Sequence, residues 1–162
     1  MTVDVAEHLR RGDLDGASAL LRAAVRTAPA HPQPRAVLAQ LMMVDGQWER
    51  ATKQLAVLAS LDPTFLPMTQ LYRAAISGER IRAEVFAGQR APVILGEPPA
   101  WIALFIQALT AGAEAGAALR EAGRDGAPAV PGSADGKPFE WLADADPRLG
   151  PVFEMLIDGS YY

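Results

Sequence analysis

The sequence predicts an all-α fold, built of helix-turn-helix repeats stacked as an α-α superhelix, with additional C-terminal helices and loops. Two observations carry that expectation. Apolar residues recur at helical spacing along most of the chain. Two stretches also match thirty-four positions apart: Gly12-Asp13-Leu14-Asp15-Gly16-Ala17 against Gly46-Gln47-Trp48-Glu49-Arg50-Ala51, Ala28-Pro29 against Asp62-Pro63, and Leu21 against Leu55. A unit of that length is one antiparallel helix pair, and stacked pairs bury faces that neither could bury alone.

The elements follow in order. A first helix runs from about Asp4 to Arg11, with Thr2 and Asp4 as candidate N-caps and Gly12 ending it in the left-handed region. Leu14 to Ala28 is the second, with Leu14, Ala17, Leu20, Leu21, Ala24 and Val25 on one face. Ala30-His31-Pro32-Gln33-Pro34 breaks the chain, and Pro34 fits the first turn of the third helix, which carries Val37, Leu38, Leu41, Met42 and Val44 and stops at Asp45-Gly46. Trp48 to Leu61 is its partner, with Ala51, Leu55, Leu58 and Ala59 inward.

Small side chains at Ala17 and Ala51 allow close approach within each pair, Leu21 and Leu55 fill the space toward the next helix, and Pro29 and Pro63 close each unit. The period and these residue types are those of the tetratricopeptide repeat. Leu38, Ala39 and Met42 suit its first helix, whereas Asp4, Val5 and His8 depart from it, as in a capping repeat.

Two units leave an apolar end face, so a third helical layer is required. Thr64 to Ala87 supplies it as one long helix with a stripe of Leu71, Tyr72, Ala75 and Ile76, a break near Ser77-Gly78 being left open. The repeat-like region is taken as residues 1–92. Residues 93–162 form an extension packed on it in one compact unit. Its Val93-Ile94-Leu95 connection tucks inward, and Pro99 starts an apolar, buried helix through Leu109. An alanine-rich helix follows to about Ala122, then a loop over Gly123–Pro138 and a last short helix over Pro147–Asp158.

Composition narrows the function. Half the residues are apolar, as a folded globular chain requires, and cysteine is absent, which removes disulfides and thiolate metal sites. Residues 2–7 have neither the basic start nor the apolar core of a secretion signal, and the Trp101–Leu109 run is too short to span a bilayer, so a cytoplasmic protein is expected. The net charge of −4 is uneven: residues 1–92 carry eleven basic against nine acidic side chains, residues 93–162 four against ten. Neither part has the dense basic patch that a phosphate backbone demands, which argues against nucleic acid.

Candidate chemistry is sparse. Glu140, Asp144 and Asp146 could serve as an acid/base pair or a cation site, yet no histidine is near them, and an acidic residue before Pro147 suits a helix cap. A hydrolase built on Asp144 would need these side chains to meet in an open pocket. His8 and His31 have no evident partner, and no Gly-rich phosphate loop occurs. No catalytic, cofactor or metal residues are therefore assigned. Trp48 and Trp101 fall at packing positions, while Trp141 beside a loop is the tryptophan most open to binding. Repeat geometry places the first helix of each pair on the concave side, so a groove would be lined by Arg10, Gln40, Met43, Gln70, Arg73 and Ser77, suited to an amphipathic partner helix.

Longer runs point further. Arg82-Ala83-Glu84-Val85-Phe86-Ala87-Gly88, Leu95-Gly96-Glu97-Pro98 and Trp101-Ile102-Ala103-Leu104 are joined by Asp135-Gly136-Lys137-Pro138-Phe139-Glu140-Trp141-Leu142-Ala143-Asp144-Ala145-Asp146-Pro147-Arg148-Leu149-Gly150-Pro151-Val152-Phe153-Glu154. Together they resemble the ImpE/TagJ family, also called SciE-type, virulence-associated accessory proteins of bacterial type VI secretion systems. The resemblance covers essentially the whole chain, although relatives continue beyond the Tyr161-Tyr162 pair. It implies a cytoplasmic, non-catalytic adaptor that binds the small subunit of the contractile sheath and so tunes its assembly or its recycling by a Clp-type ATPase. A peptide-binding repeat adaptor or chaperone serving another partner is the alternative.

Overall fold

The computed structural model describes residues 3–162; the Thr2 cap lies outside them. Among those residues seven α-helices occur: α1 (Val3–Arg10), α2 (Leu14–Thr27), α3 (Pro32–Val44), α4 (Trp48–Leu61), α5 (Leu66–Phe86), α6 (Ala100–Ala108) and α7 (Ala113–Gly126). A 3-10 turn at Pro63–Phe65 precedes α5, and two short hairpins follow α7: β1 (Gly132–Ala134) with β2 (Lys137–Phe139), and β3 (Leu156–Ile157) with β4 (Ser160–Tyr161).

The thirty-four-residue register is visible in how the helices end. Gly12 sits at φ 72°, with Asp13 N–H donating to His8 C=O (2.9 Å) and Gly12 N–H to Leu9 C=O (3.1 Å). Gly46 repeats the arrangement at φ 68°, with Gln47 on Met42 (2.8 Å) and Gly46 on Met43 (3.0 Å). Both satisfy carbonyls that the last helical turn leaves without partners, and a side chain beyond glycine would be strained there. Asp13 also caps α2, its carboxylate accepting from Gly16 N–H at 2.8 Å. A third unit in register would turn near Arg80, but α5 runs unbroken through Ser77-Gly78 and turns only at Gly88 (φ 70°).

The chain divides into two compact units, Met1–Ser77 and Gly78–Tyr162, so the boundary falls inside α5 and not at residue 92. Helix periodicity is continuous across that point. What changes is the partner: beyond Gly78, side chains such as Arg82 engage residues of the 146–154 segment.

In the first unit Val5, Ala17, Leu21, Leu38, Ala39, Leu41, Met42, Ala51, Leu55 and Ile76 form one core. The paired positions are equivalent: Ala17 and Ala51 are wholly buried, as is Leu55, with Leu21 nearly so. Each leucine so buried contributes about 2 kcal/mol. Leu20, expected on the α2 core face, is instead exposed. Arg35 is a buried cation the periodicity does not reveal; its guanidinium donates to Gln54 Oε1 (2.6 Å) and to the Pro29 carbonyl (3.3 Å), tying α3 to α4 and to the turn that closes the first repeat.

The second unit departs more from expectation. The apolar helix α6 buries only Phe105 and Ala108; Trp101 to Leu104 and Ile106 are half-buried, and Trp101, Ile102 and Ile106 border a cavity. Gly112, at φ 79°, separates α6 from α7. The connection does not tuck in fully: Ile94 is half-buried, but Val93 and Leu95 are exposed. Within Gly123–Pro138, α7 continues to Gly126 and the β1–β2 hairpin follows. No helix forms over Pro147–Asp158. A turn there ends at Gly150 (φ 58°) and Pro151, neither of which extends a helix, and the chain then enters β3. Both hairpins turn on Asp-Gly pairs with two positive φ angles, Asp135-Gly136 (50°, 74°) and Asp158-Gly159 (49°, 75°), the conformation that matches strand twist in two-residue loops.

Candidate functional site

Each unit presents one candidate surface. In the first, Arg10 lies on α1, Gln40 and Met43 on α3, and Gln70, Arg73 and Ser77 on α5, the first helices of successive units. All but Met43 are exposed. Met43 is half-buried and packs against the core, so only part of it faces outward. Arg10 is held along its own helix by Glu7 (2.9 Å) and the Ala6 carbonyl (3.3 Å). Gln40 donates to the Tyr72 hydroxyl at 2.7 Å, joining α3 to α5. Among the described residues Arg73 has no ion-pair partner, leaving its charge free. His8 does have an acidic neighbour, Asp13 at 2.6 Å, which accepts from the α2 terminus as well. The Gly16 N–H bond and the His8 contact hold the Asp13 carboxyl below its usual range. The pair is a helix cap, and it leaves no free base beside a nucleophile.

The second unit brings the longest sequence signature together as a clasp. Arg82 Nε donates to Glu154 Oε1 at 2.8 Å, and its Nη2 lies 3.6 Å from Asp146 Oδ2. Arg148 forks onto the same Asp146 carboxylate at 2.6–3.2 Å. Both guanidinium groups lie over the Phe86 ring, 4.5 and 4.4 Å from its centroid, where the ring quadrupole attracts them. Tyr161 donates its hydroxyl to Glu154. The hydrogen bond from Arg148, with its charge, holds the Asp146 carboxyl down to about 2.

The acid cluster is therefore dispersed. Asp146 serves Arg148 and Arg82, Asp144 accepts from Asp146 N–H at 2.7 Å, and Glu140 is exposed. Asp144 and Asp146 cap a turn and not the expected helix. Among the described residues no group of three or more histidine or acidic side chains could hold a metal ion.

Beside the clasp lies a cavity of about 250 Å³ that sequence reasoning did not anticipate. Val93, Leu95, Trp101, Ile102, Ile106, Val152 and Phe153 contribute apolar walls, with Arg148 and Glu154 at one side. Trp101, expected to be buried, is half-buried there and meets Phe105 edge-on at 6.3 Å. Trp48 is half-buried against the first core, and Trp141 is 45% exposed. The available signal was the apolar perimeter of α6, which was read as full burial: a helix apolar all round needs cover on every side.

A tetratricopeptide repeat family model matches residues 8–75, and an ImpE protein family model matches residues 136–162. The chain is 52% identical over 159 residues to the type VI secretion system accessory component TagJ of Pseudomonas aeruginosa, a match covering 96% of this chain and 57% of that protein. It is similar in fold, at a TM-score of 0.80 and 25% identity, to the crystal structure of protein VPA1032 from Vibrio parahaemolyticus, covering 97% of this chain and 61% of that one. The chain thus spans less than two thirds of the length of either relative. No helix among the described residues is long and apolar enough to cross a membrane.

Proposed function

The chain belongs to the ImpE/TagJ family, and we propose that it is a non-catalytic, cytoplasmic adaptor of a bacterial type VI secretion system. Its partner in this reading is a helix of the small subunit of the contractile sheath, bound along the row Arg10, Gln40, Met43, Gln70, Arg73 and Ser77. Binding there would modulate sheath assembly or its recycling by a Clp-type ATPase. The observation that carries the reading is the packing of the first unit. Its core satisfies itself, while the first helices expose polar side chains and one free arginine at positions where a repeat stack receives a helix. The Pseudomonas relative, a type VI secretion system accessory component, supplies the system. Trp141 is proposed as a separate anchor in the second unit, because an exposed tryptophan concentrates binding energy when covered.

Anisotropy with a labelled peptide covering the N-terminal helix of the small sheath subunit tests this. Saturable binding at micromolar concentration is expected, weakened several-fold by Gln40→Ala combined with Arg73→Ala. Tyr72→Phe serves as a control, since it removes the Gln40 hydrogen bond while keeping all six side chains of the row. Unchanged affinity in the folded double variant would place the partner elsewhere. Equal affinity for unrelated amphipathic helices would favour a general repeat adaptor or chaperone.

A further inference from the structure

The groove reading leaves the cavity of the second unit without a role. We propose that this cavity receives one bulky apolar side chain from a short basic segment of a protein partner, as a docking site independent of the first unit.

Size favours a small occupant. Pockets for drug-sized molecules and cofactors run from about 300 to 1,000 Å³. At about 250 Å³ this one has room for one or two large side chains. Its chemistry favours an apolar occupant, because the two charged groups in its wall are already committed. Arg148 is forked onto Asp146, and Glu154 is held by Arg82 and Tyr161. The rim is apolar and open: Phe153 is 82% exposed, Leu95 60% and Val93 48%. Adjacent exposed apolar groups of this kind mark a surface that is covered in use.

Charge then selects among coverings. The unit that holds the cavity, residues 78–162, carries twelve acidic side chains against seven basic. Asp146 and Glu154 are paired, but Glu97, Asp144 and Asp158 have no cation within ion-pair distance among the described residues. These three belong to the segments that build the wall. Glu97 follows Leu95, Asp158 lies in the turn of the hairpin bearing Met155 and Tyr161, and Asp144 N–H donates to the Gly150 carbonyl at 2.7 Å. Arg120, Arg124 and Lys137 lie on α7 and β2, outside the lining. A second copy of this chain would bring together two apolar rims that are each flanked by segments with unpaired carboxylates, and an anionic lipid surface would be repelled. A Lys/Arg-flanked apolar residue satisfies both the cavity and the flanking carboxylates.

The test uses three fluorescein-labelled peptides: Lys-Lys-Leu-Phe-Lys-Arg, Glu-Glu-Leu-Phe-Glu-Glu and Lys-Lys-Gly-Ser-Lys-Arg. The first should bind saturably and less tightly as salt rises, and the other two about tenfold or more weaker. Val152→Trp, which fills the cavity, should abolish binding. Phe153→Ser, at a side chain too exposed to matter for folding, should weaken it several-fold and decides the matter if Val152→Trp misfolds. Gln40→Ala with Arg73→Ala should leave it unchanged. Equal binding of the acidic peptide, or indifference to Phe153→Ser, would overturn the proposal. So would a wild-type chain that dimerises in sedimentation while the Phe153→Ser variant stays monomeric, since the face would then belong to a second copy.

Discussion

The two units of this chain reach stability by opposite routes. The first repeats one solution: Gly12 and Gly46 close helices by the same hydrogen bonds, and Ala17 and Ala51 vanish into the same kind of contact. The second repeats only its Asp-Gly hairpin turns. Its centre is Phe105, against which Gly123 and Gly150 lie so closely that an added Cβ would stand 2.7 and 2.6 Å from ring atoms. A periodic unit spreads its constraint over many equivalent positions and leaves its outer faces open to variation. An aperiodic one concentrates constraint in a few unique fits.

That contrast can be broken most severely at Gly150. Gly150→Val meets Phe105 at once and places a β-branched side chain at φ 58°, so strain and overpacking together should cost about 4 kcal/mol. Hydrogen exchange should show protection lost chiefly in α6 and α7. Uniform loss across α2 to α4 as well would show that the units do not open separately. Leu55→Ala is the counterpart in the repeat, expected to cost about 3 kcal/mol by denaturant titration, because the wholly buried side chain leaves a cavity between rigid helices. Arg35→Ala should cost less, about 2 kcal/mol, since Gln54 and the Pro29 carbonyl lose a buried partner. A neutral Arg35→Met would show that the aliphatic stem, and not the hydrogen bonds, matters there.

The same contrast governs what could be read in the sequence. Periodicity located α1 to α5 to within a residue or two, because helix ends there are set by local chemistry: a glycine turn, a cap, a proline. It also supported the repeat fold. The Arg35 contacts escaped because they depend on which residues of α4 and the preceding turn come near, which periodicity does not encode. In the second unit both Asp-Gly turns were present as hairpin signals, yet helical expectation prevailed over Pro147–Asp158, where Val152, Phe153, Leu156 and Ile157 mimic an amphipathic stripe. Arg82 and Phe86 were quoted in one linear run and Asp146, Arg148 and Glu154 in another, but the clasp emerges only when the two runs meet, as Arg82 does with Glu154, 72 residues on. The cavity was hidden for the same reason: half-burial of α6 is a property of its neighbours.

The clasp yields the smallest expected effect and the sharpest sign. Asp146 is held at about 2 in the folded chain against an ordinary 3.8, chiefly by the hydrogen bond from Arg148. A folded-state value below the unfolded one means the unfolded chain takes up the proton first as pH falls. The clasp therefore contributes fully above about pH 4, and its contribution drains away down to about pH 2. Because the pair is partly open to solvent, screening limits the loss to about 1 kcal/mol. Asp146→Asn should remove that part of the acid dependence while leaving the first unit's unaffected, and the difference between the two pH profiles of unfolding measures it. A profile identical in both proteins would mean that Arg148 and Arg82 are held over Phe86 by the ring and by Glu154 alone.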